Sequence, residues 1–349
     1  MIKKTYLTTL EDLLSNKLIQ EKDIPELKEV IRRYPVSLPT SMLPMIQADP
    51  DGPLAKQFIP NKQELEQTSE DLQDPIGDAA FSPVEGLVHR YPDRVLFKIV
   101  QTCAVYCRFC FRREMVGHKK NATLSAQVID HALAYIREHK EIWEVIFSGG
   151  DPFILSPRRL GLILTRLSDI SHVKVIRFHT RIPVVAPERI TCSLISALKK
   201  SKKTVFIALH TNHASEFTDN ARNACSRLID SGIPMISQSV LLKGVNDSPA
   251  ALKELMRTFV EMRIKPYYLH HPDLAPGTKH FRMPIAEGQA FVKQLRGTLS
   301  GLCQPQYILD IPGGYGKTPL DLCNAVYFPE ENKWHIKDYK GNKHDYSDI

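Results

Sequence analysis

From Arg94 onward the chain alternates short apolar or β-branched runs with longer amphipathic segments. RVLFKIV (94–100), EVIFSGG (144–150), VKVIRFHT (173–180), TVFIALHT (204–211), PMISQSV (234–240) and KPYYLHH (265–271) have the length and composition of strands. Between them, 124–139, 156–167, 188–200, 216–230 and 249–262 carry apolar residues at helical spacing, and a further helix over 285–299 precedes a seventh apolar run, QYILDIP (306–312). Strands alternating with helices predict right-handed crossovers and a parallel sheet. Six such units build a partial TIM-like barrel, an α/β fold of the (β/α)6 kind; a doubly wound open sheet is the alternative. In either, ligands lie at the C-terminal ends of the strands. Distinctive polar residues gather at those ends: Cys103 onward, Ser148 to Asp151, His179, His210, Gln238 and His270.

The first 90 residues read differently. Leu10, Leu13, Leu14, Leu18 and Ile19 have helical spacing, and 24–34 repeats it, but a Pro-rich stretch from Pro35 to Pro60 and the aperiodic DPIGDAAFSPVEGLVHRYPDR follow. This part is expected to wrap over the barrel rather than form a core of its own. The expected organisation is a helical and irregular N-terminal extension over 1–90, the barrel over 91–300 and a short C-terminal segment over 301–349.

Composition narrows the class. Of 349 residues 43% are hydrophobic and 24% charged, which suits a globular protein with a substantial core. No apolar run reaches the roughly 20 residues needed to span a bilayer, and the first residues lack an apolar stretch with a small-residue cleavage site. A cytoplasmic location with no membrane partner is therefore expected. The net charge of +7 is spread along the chain, so no nucleic-acid partner is expected; a mildly basic surface that handles phosphate and carboxylate groups accounts for it.

Seven cysteines are present, three of them within eight residues as Cys103, Cys107 and Cys110. Such a cluster points to metal or redox chemistry rather than a disulfide framework. A [4Fe–4S] cluster normally takes four thiolates; three leave one iron open to an exogenous molecule. A structural zinc site is the alternative and would want a fourth Cys or His at familiar spacing. Cys192, Cys225, Cys303 and Cys323 are scattered and read as packing residues.

The CxxxCxxC loop with Phe109 before its third cysteine resembles that of the radical S-adenosylmethionine superfamily, and the surroundings resemble its lysine 2,3-aminomutase branch. The resemblance is carried by HRYPDRVL (89–96), CAVYCRFCFRRE (103–114), FSGGDPF (147–153), QSVLLKGVND (238–247), DLAPGTKHFR (273–282) and LDIPGGYGK (309–317), in the family's order over most of residues 85–320. It implies a radical SAM barrel, a [4Fe–4S] cluster on Cys103, Cys107 and Cys110, S-adenosyl-L-methionine, and pyridoxal 5′-phosphate attached to Lys317. GGYGKT is not a nucleotide loop, because the first glycine of that spacing would fall on Ile311. Arg94 and Tyr91 match cofactor-contacting positions, and Gly149, Gly150 and Asp151 match the place of the methionyl amino group. His210 and Gln238 match positions near the adenosyl and pyridoxal groups.

The resemblance also implies a free amino acid as substrate, with Arg112 for its carboxylate. Asp273 and Asp310 match the two carboxylates that take a lysine ε-ammonium, so L-lysine is the favoured substrate and β-lysine the product; another amino acid is the alternative. An electron donor such as flavodoxin or ferredoxin is implied, and the N-terminal region can pack on its own barrel or, in a homo-oligomer, on a neighbour. Two departures stand out. Ser237 precedes Gln238 where many relatives carry Asn, and the tail after Cys323 lacks a Cys-rich segment. The shorter form resembles the bacterial group whose β-lysine modifies elongation factor P; a cysteine–metal module binding RNA or protein is the reading from a different class.

Overall fold

The computed structural model describes residues 5–117, 123–320, 325–331, 333–338 and 340–346. At the N-terminus the short strands β1 (Tyr6–Leu7) and β2 (Leu38–Pro39) pair antiparallel around helices α1 (Leu10–Ser15) and α2 (Ile24–Arg33); α3 (Leu43–Ala48) and α4 (Pro53–Phe58) follow. A nine-stranded sheet then takes β3 (Leu87–Tyr91), β4 (Arg94–Val100), β5 (Glu144–Gly149), β6 (Val175–Thr180), β7 (Thr204–His210), β8 (Met235–Val240), β9 (Ile264–His270), β10 (Gln306–Ile311) and β11 (Gly316–Pro319) in chain order. From β4 to β10 every neighbouring pair is parallel, and β3 and β11 cap the two edges antiparallel. A doubly wound sheet reverses its strand order at a switch point; this one does not, so the incomplete barrel is the fold. Near the C-terminus β12 (Ala325–Phe328), β13 (Lys333–Lys337) and β14 (Lys343–Tyr346) form a separate antiparallel sheet.

Helices α5 (Ala126–Glu138), α6 (Pro157–Ser168), the short α7 (Ile182–Val185), α8 (Cys192–Lys199), α9 (Asp219–Asp230), α10 (Pro249–Glu261) and α11 (Ile285–Leu295) fill the crossovers. Five of these starts are set by hydroxyl caps. Ser125, Ser156, Thr191, Thr218 and Ser248 each accept a backbone N–H from the first turn of α5, α6, α8, α9 and α10, each worth about 1 kcal/mol. The caps at Thr191 and Thr218 correct the expected starts at 188 and 216, and α11 stops at Leu295 rather than 299 because Gly297 turns the chain with a φ of 71°.

One apolar core joins the extension to the barrel. Leu13, Val30, Leu38 and Phe58 from the first 60 residues pack in the same cluster as Phe97, Phe147 and Phe178 from the strands. As expected, the N-terminal part wraps rather than folds around itself: the Leu72 N–H donates to Leu274 O at 2.8 Å and Arg282 reaches Asp71 at 2.6 Å. Cys225 and Cys303 are buried packing residues, but Cys192 is exposed at the first position of α8, which corrects the packing reading for it. Cys323 lies outside the described residues.

Candidate active site

Alternation along the strands decides what faces inward. In β4, Val95, Phe97 and Ile99 point into the core, which leaves Arg94, Leu96 and Lys98 on the opposite face. The same rule sends Glu144, Ile146 and Ser148 of β5 and Arg177 and His179 of β6 into a cavity of about 450 Å³. Strands of parallel sheets are usually apolar on both faces. A charged inner face therefore marks a hollow barrel that holds a polar ligand, a signal present in RVLFKIV and VKVIRFHT that spacing alone left unused. The cavity is lined by Cys103, Cys107 and Cys110 at one side and by Tyr91, Arg94, Asp310 and Lys317 at another. Every strand-end position singled out in the sequence lines it: Ser148, Gly149, Gly150, Asp151, His179, His210, Gln238 and His270.

The cysteine loop is held from beneath by the N-terminal extension. Tyr106 N–H donates to Ser37 O at 3.0 Å and Arg108 N–H to Gln57 O at 2.8 Å. Arg108 and Arg113 are both buried and converge on Glu64, which is wholly buried. Burial would raise the Glu64 carboxyl, but the two guanidinium charges outweigh it and hold it below its ordinary value. The three thiols are unpaired. Burial pushes the Cys107 thiol up to about 11 and the Cys103 thiol well above its usual value, so a metal bound there would have to displace protons.

Gly149 ends β5 and Gly150 follows it, and the cysteine loop requires both. A Cβ on Gly149, whose φ is 114°, would stand 2.3 Å from Val100 O, and one on Gly150 2.1 Å from Thr102 O. What approaches these glycines closely here is the main chain leading into Cys103. Asp151 lines the cavity, yet its carboxylate is occupied by the N–H groups of Phe153 (3.0 Å) and Arg181 (2.7 Å) and the Thr180 hydroxyl (2.7 Å).

Lys317 sits on a hairpin. The Gly-rich loop is the turn between β10 and β11, and the antiparallel register places Lys317 directly opposite Asp310. Its ammonium donates to Asp310 Oδ2, and His270 Nδ1 lies 3.4 Å from the same oxygen. His270 Nε2 is 3.1 Å from Gln238 Nε2; with the proton on Nδ1 toward Asp310, Nε2 accepts from the Gln238 amide. Burial works against the Asp310 carboxylate, but the His270 hydrogen bond and the Lys317 charge prevail and hold it well below the usual range. Asp310 Oδ1 is buried without a partner among the described residues. Asp273 behaves oppositely: burial first, then the Asp310 charge, push it up to about 7.

Tyr91 on the far edge of the sheet reaches across to this hairpin. Its hydroxyl accepts the Lys317 backbone N–H at 2.9 Å, so the tip of β3 meets β11 and the barrel nearly closes there. A Cβ on Gly316, whose φ is 93°, would fall 2.9 Å from that hydroxyl. The Arg94 guanidinium stacks 3.8 Å from the Tyr91 ring and pairs with Asp93 at 2.6 Å.

Arg112 lines the cavity with its charge anchored on Asp78 at 2.9 Å. Asp78 also faces Arg90 at 3.3 Å and Lys98 at 3.5 Å. Three cations around one buried carboxylate leave a surplus of positive charge, suited to a carboxylate or phosphate. Burial opposes the Asp78 charge, but Arg112 and Lys98 keep its carboxyl lowered. Asp78, Arg90, Lys98 and Glu64 escaped the sequence reading because their partners are distant in the chain.

Burial holds the His179 and His210 rings neutral, well below their usual value, and the Nε2 atom of each is buried without a partner among the described residues. Buried nitrogens without partners on a cavity wall suit a polar ligand. Ser237 is not among the cavity-lining residues: alternation turns Gln238 inward and Ser237 into the shell, where its buried hydroxyl has no partner among the described residues.

Among the described residues no three His, Cys, Asp or Glu side chains gather around one point to hold a single metal ion. The three thiols instead line one cavity from a single loop, which fits a cluster that takes one thiolate per iron. The hairpin lysine, Tyr91 and the Arg90–Arg112 group fit an anionic cofactor and a carboxylate beside it. No helix among the described residues is long and apolar enough to cross a membrane.

Residues 97–256 match the family model described as "Radical SAM superfamily". The chain is 40% identical to an L-lysine 2,3-aminomutase of Acetoanaerobium sticklandii, over 91% of this chain and 77% of that one. It is 33% identical to an L-lysine 2,3-aminomutase of Escherichia coli, over 92% and 95%. It is also 36% identical to a glutamate 2,3-aminomutase of Clostridioides difficile, over 90% and 74%.

Proposed function

The chain belongs to the L-lysine 2,3-aminomutase family of the radical SAM superfamily, and from that premise we propose that it is an isomerase moving the 2-amino group of L-lysine to carbon 3. The family implies three groups. When bound, the iron–sulfur cluster and S-adenosyl-L-methionine supply a radical initiator, and pyridoxal 5′-phosphate holds the migrating nitrogen. Cys103, Cys107 and Cys110 would carry the cluster. Lys317 would bind pyridoxal phosphate, with Tyr91 and Arg94 beside it. Gly149, Gly150 and Asp151 would border the methionyl end of S-adenosylmethionine, and His210 and Gln238 the space between the two cofactors.

The observation that carries lysine over glutamate is the pair Asp273 and Asp310 in one cavity with Arg112. A substrate carboxylate suits Arg112, whose charge is held in place by Asp78. A second cation at the far end suits two carboxylates, since a buried ammonium is costly unless paired. A glutamate side chain would bring a third negative charge against them. Asp310 is neutralised by Lys317 in this structure. The substrate ammonium takes up that role when Lys317 is engaged with the cofactor. Relative kcat/KM tests the assignment: L-lysine should exceed L-glutamate by at least about a hundredfold, the cost of one unpaired buried charge at about 3 kcal/mol. Equal use of glutamate would remove the assignment.

Asp273 makes lysine binding pH-dependent. Its carboxyl titrates at about 7 in the free protein, so below that it is neutral and offers an ammonium little. An arriving ammonium favours the carboxylate and expels the proton. The KM for lysine should therefore fall as pH rises from about 6 to about 8, and Asp273→Asn should raise KM and flatten that profile. An unchanged profile in the variant would place the titrating group elsewhere.

For the fate of the product, supply of β-lysine to elongation factor P is the role proposed. Electrons from a flavodoxin- or ferredoxin-type donor and a cytoplasmic setting belong to the same proposal.

A further inference from the structure

Arg181 follows β6 and has no part in the chemistry proposed above. Its buried guanidinium is shared among three acceptors. Nη1 donates toward Cys107 Sγ at 3.5 Å, and Nη2 donates to Gln57 Oε1 and Glu216 Oε2, both at 2.6 Å. The ring of Phe58 lies 4.8 Å below it and that of Phe109 5.4 Å away. Glu216 is almost completely buried, and its other oxygen accepts the N–H groups of Asn212 (2.9 Å) and His213 (3.0 Å) and the Gln57 amide (3.2 Å). The backbone N–H of Arg181 is itself tied to Asp151 at 2.7 Å. Backbone and guanidinium are thus both fixed, and among the described residues the only sulfur it meets is one of the three thiols of the loop.

A guanidinium keeps its charge at every accessible pH. A fixed cation donating an N–H to a cluster thiolate stabilises the more negative, reduced cluster, because hydrogen bonds to the sulfurs and local charge set the potential. A carboxylate beside that cation offsets part of the effect. We propose that Arg181 is a positioning residue that orients Cys107 and raises the reduction potential of the iron–sulfur cluster, with Glu216 setting how much of its charge the cluster feels. This rests on the reading that Cys103, Cys107 and Cys110 carry such a cluster. It also gives the N-terminal extension a task, since Gln57 and Phe58 build half of the guanidinium's pocket.

The test compares reconstituted, anaerobic wild-type protein with Arg181→Gln, Arg181→Lys and Glu216→Gln, each at measured iron content, by electron paramagnetic resonance across a series of mediated redox poises. At the wild-type midpoint Arg181→Gln should show about tenfold less reduced than oxidised cluster, a shift of about 59 mV to more negative potential for one electron. Glu216→Gln should shift the other way, and Arg181→Lys should lie between Arg181→Gln and wild type. A residue that only props the loop would alter iron content without giving shifts of opposite sign. Equal potentials in the loaded proteins, or shifts of one sign in Arg181→Gln and Glu216→Gln, overturn the proposal. Where Arg181→Gln fails to load iron, Glu216→Gln decides, and no positive shift overturns it. No iron–sulfur signal in the wild-type protein would instead overturn the cluster reading itself.

Discussion

Replacing Cys107 with Ala should reduce cleavage of S-adenosylmethionine to the level seen without enzyme. The thiol stands between two neighbours four and three residues away, on a loop pinned to Ser37 and Gln57 by backbone hydrogen bonds. With the ring of Phe109 and the Arg181 guanidinium closing in on that side, no other thiol among the described residues lines the cavity besides Cys103 and Cys110. Two thiolates would leave two irons open instead of one. The expected outcome is loss of both the reduced-cluster resonance and 5′-deoxyadenosine formation, with the fold retained by circular dichroism. Cleavage at the wild-type rate would remove Cys107 from the ligand set.

Lys317→Ala should separate the two halves of the chemistry. The backbone N–H that Lys317 gives to Tyr91 survives the substitution, and so does the register of β10 against β11. What disappears is the ammonium that neutralises Asp310. His270 remains as its partner, but the Asp310 carboxyl should move back up toward its ordinary range. Iron content should stay at the wild-type level. Pyridoxal phosphate should no longer become covalently attached on borohydride treatment, and turnover should fall by about 10⁴-fold or more, as for other residues that act as a covalent anchor. Cofactor still fixed covalently in the variant would move the attachment to another lysine.

The sequence made much of this architecture readable, for identifiable reasons. Strand and helix periods located every barrel unit, and CxxxCxxC is local in the chain, so the cluster loop needed no tertiary information. Helix starts were misplaced at 188 and 216 because the apolar period runs on past the hydroxyl caps; Thr191 and Thr218 were the available signals. Asp310 and Lys317 were each visible, but not that a hairpin register sets them face to face. A turn of glycines between an apolar run and GKTP could have suggested it.

The supporting residues were hidden for a different reason. Glu64 meets Arg108 across 44 residues of chain, Asp78 meets Arg112 across 34, and Arg181 meets Gln57 across 124. No spacing rule links such pairs; only closure of the fold creates them. Ser237 shows the converse. It looked like a departure within the cofactor site, whereas period-two alternation alone already turned it away from the side of Gln238.

The central claim is that one cavity joins a radical source at Cys103, Cys107 and Cys110 to an amino acid held between Arg112 and the Asp273–Asp310 pair. Anaerobic, reduced protein incubated with L-lysine, S-adenosyl-L-methionine and pyridoxal 5′-phosphate tests it most directly, with the amino acids resolved by chromatography and mass spectrometry. β-Lysine should accumulate, and omitting any one of the three should stop it. A loaded protein that cleaves S-adenosylmethionine yet forms no β-lysine, or rearranges L-glutamate instead, would contradict the account.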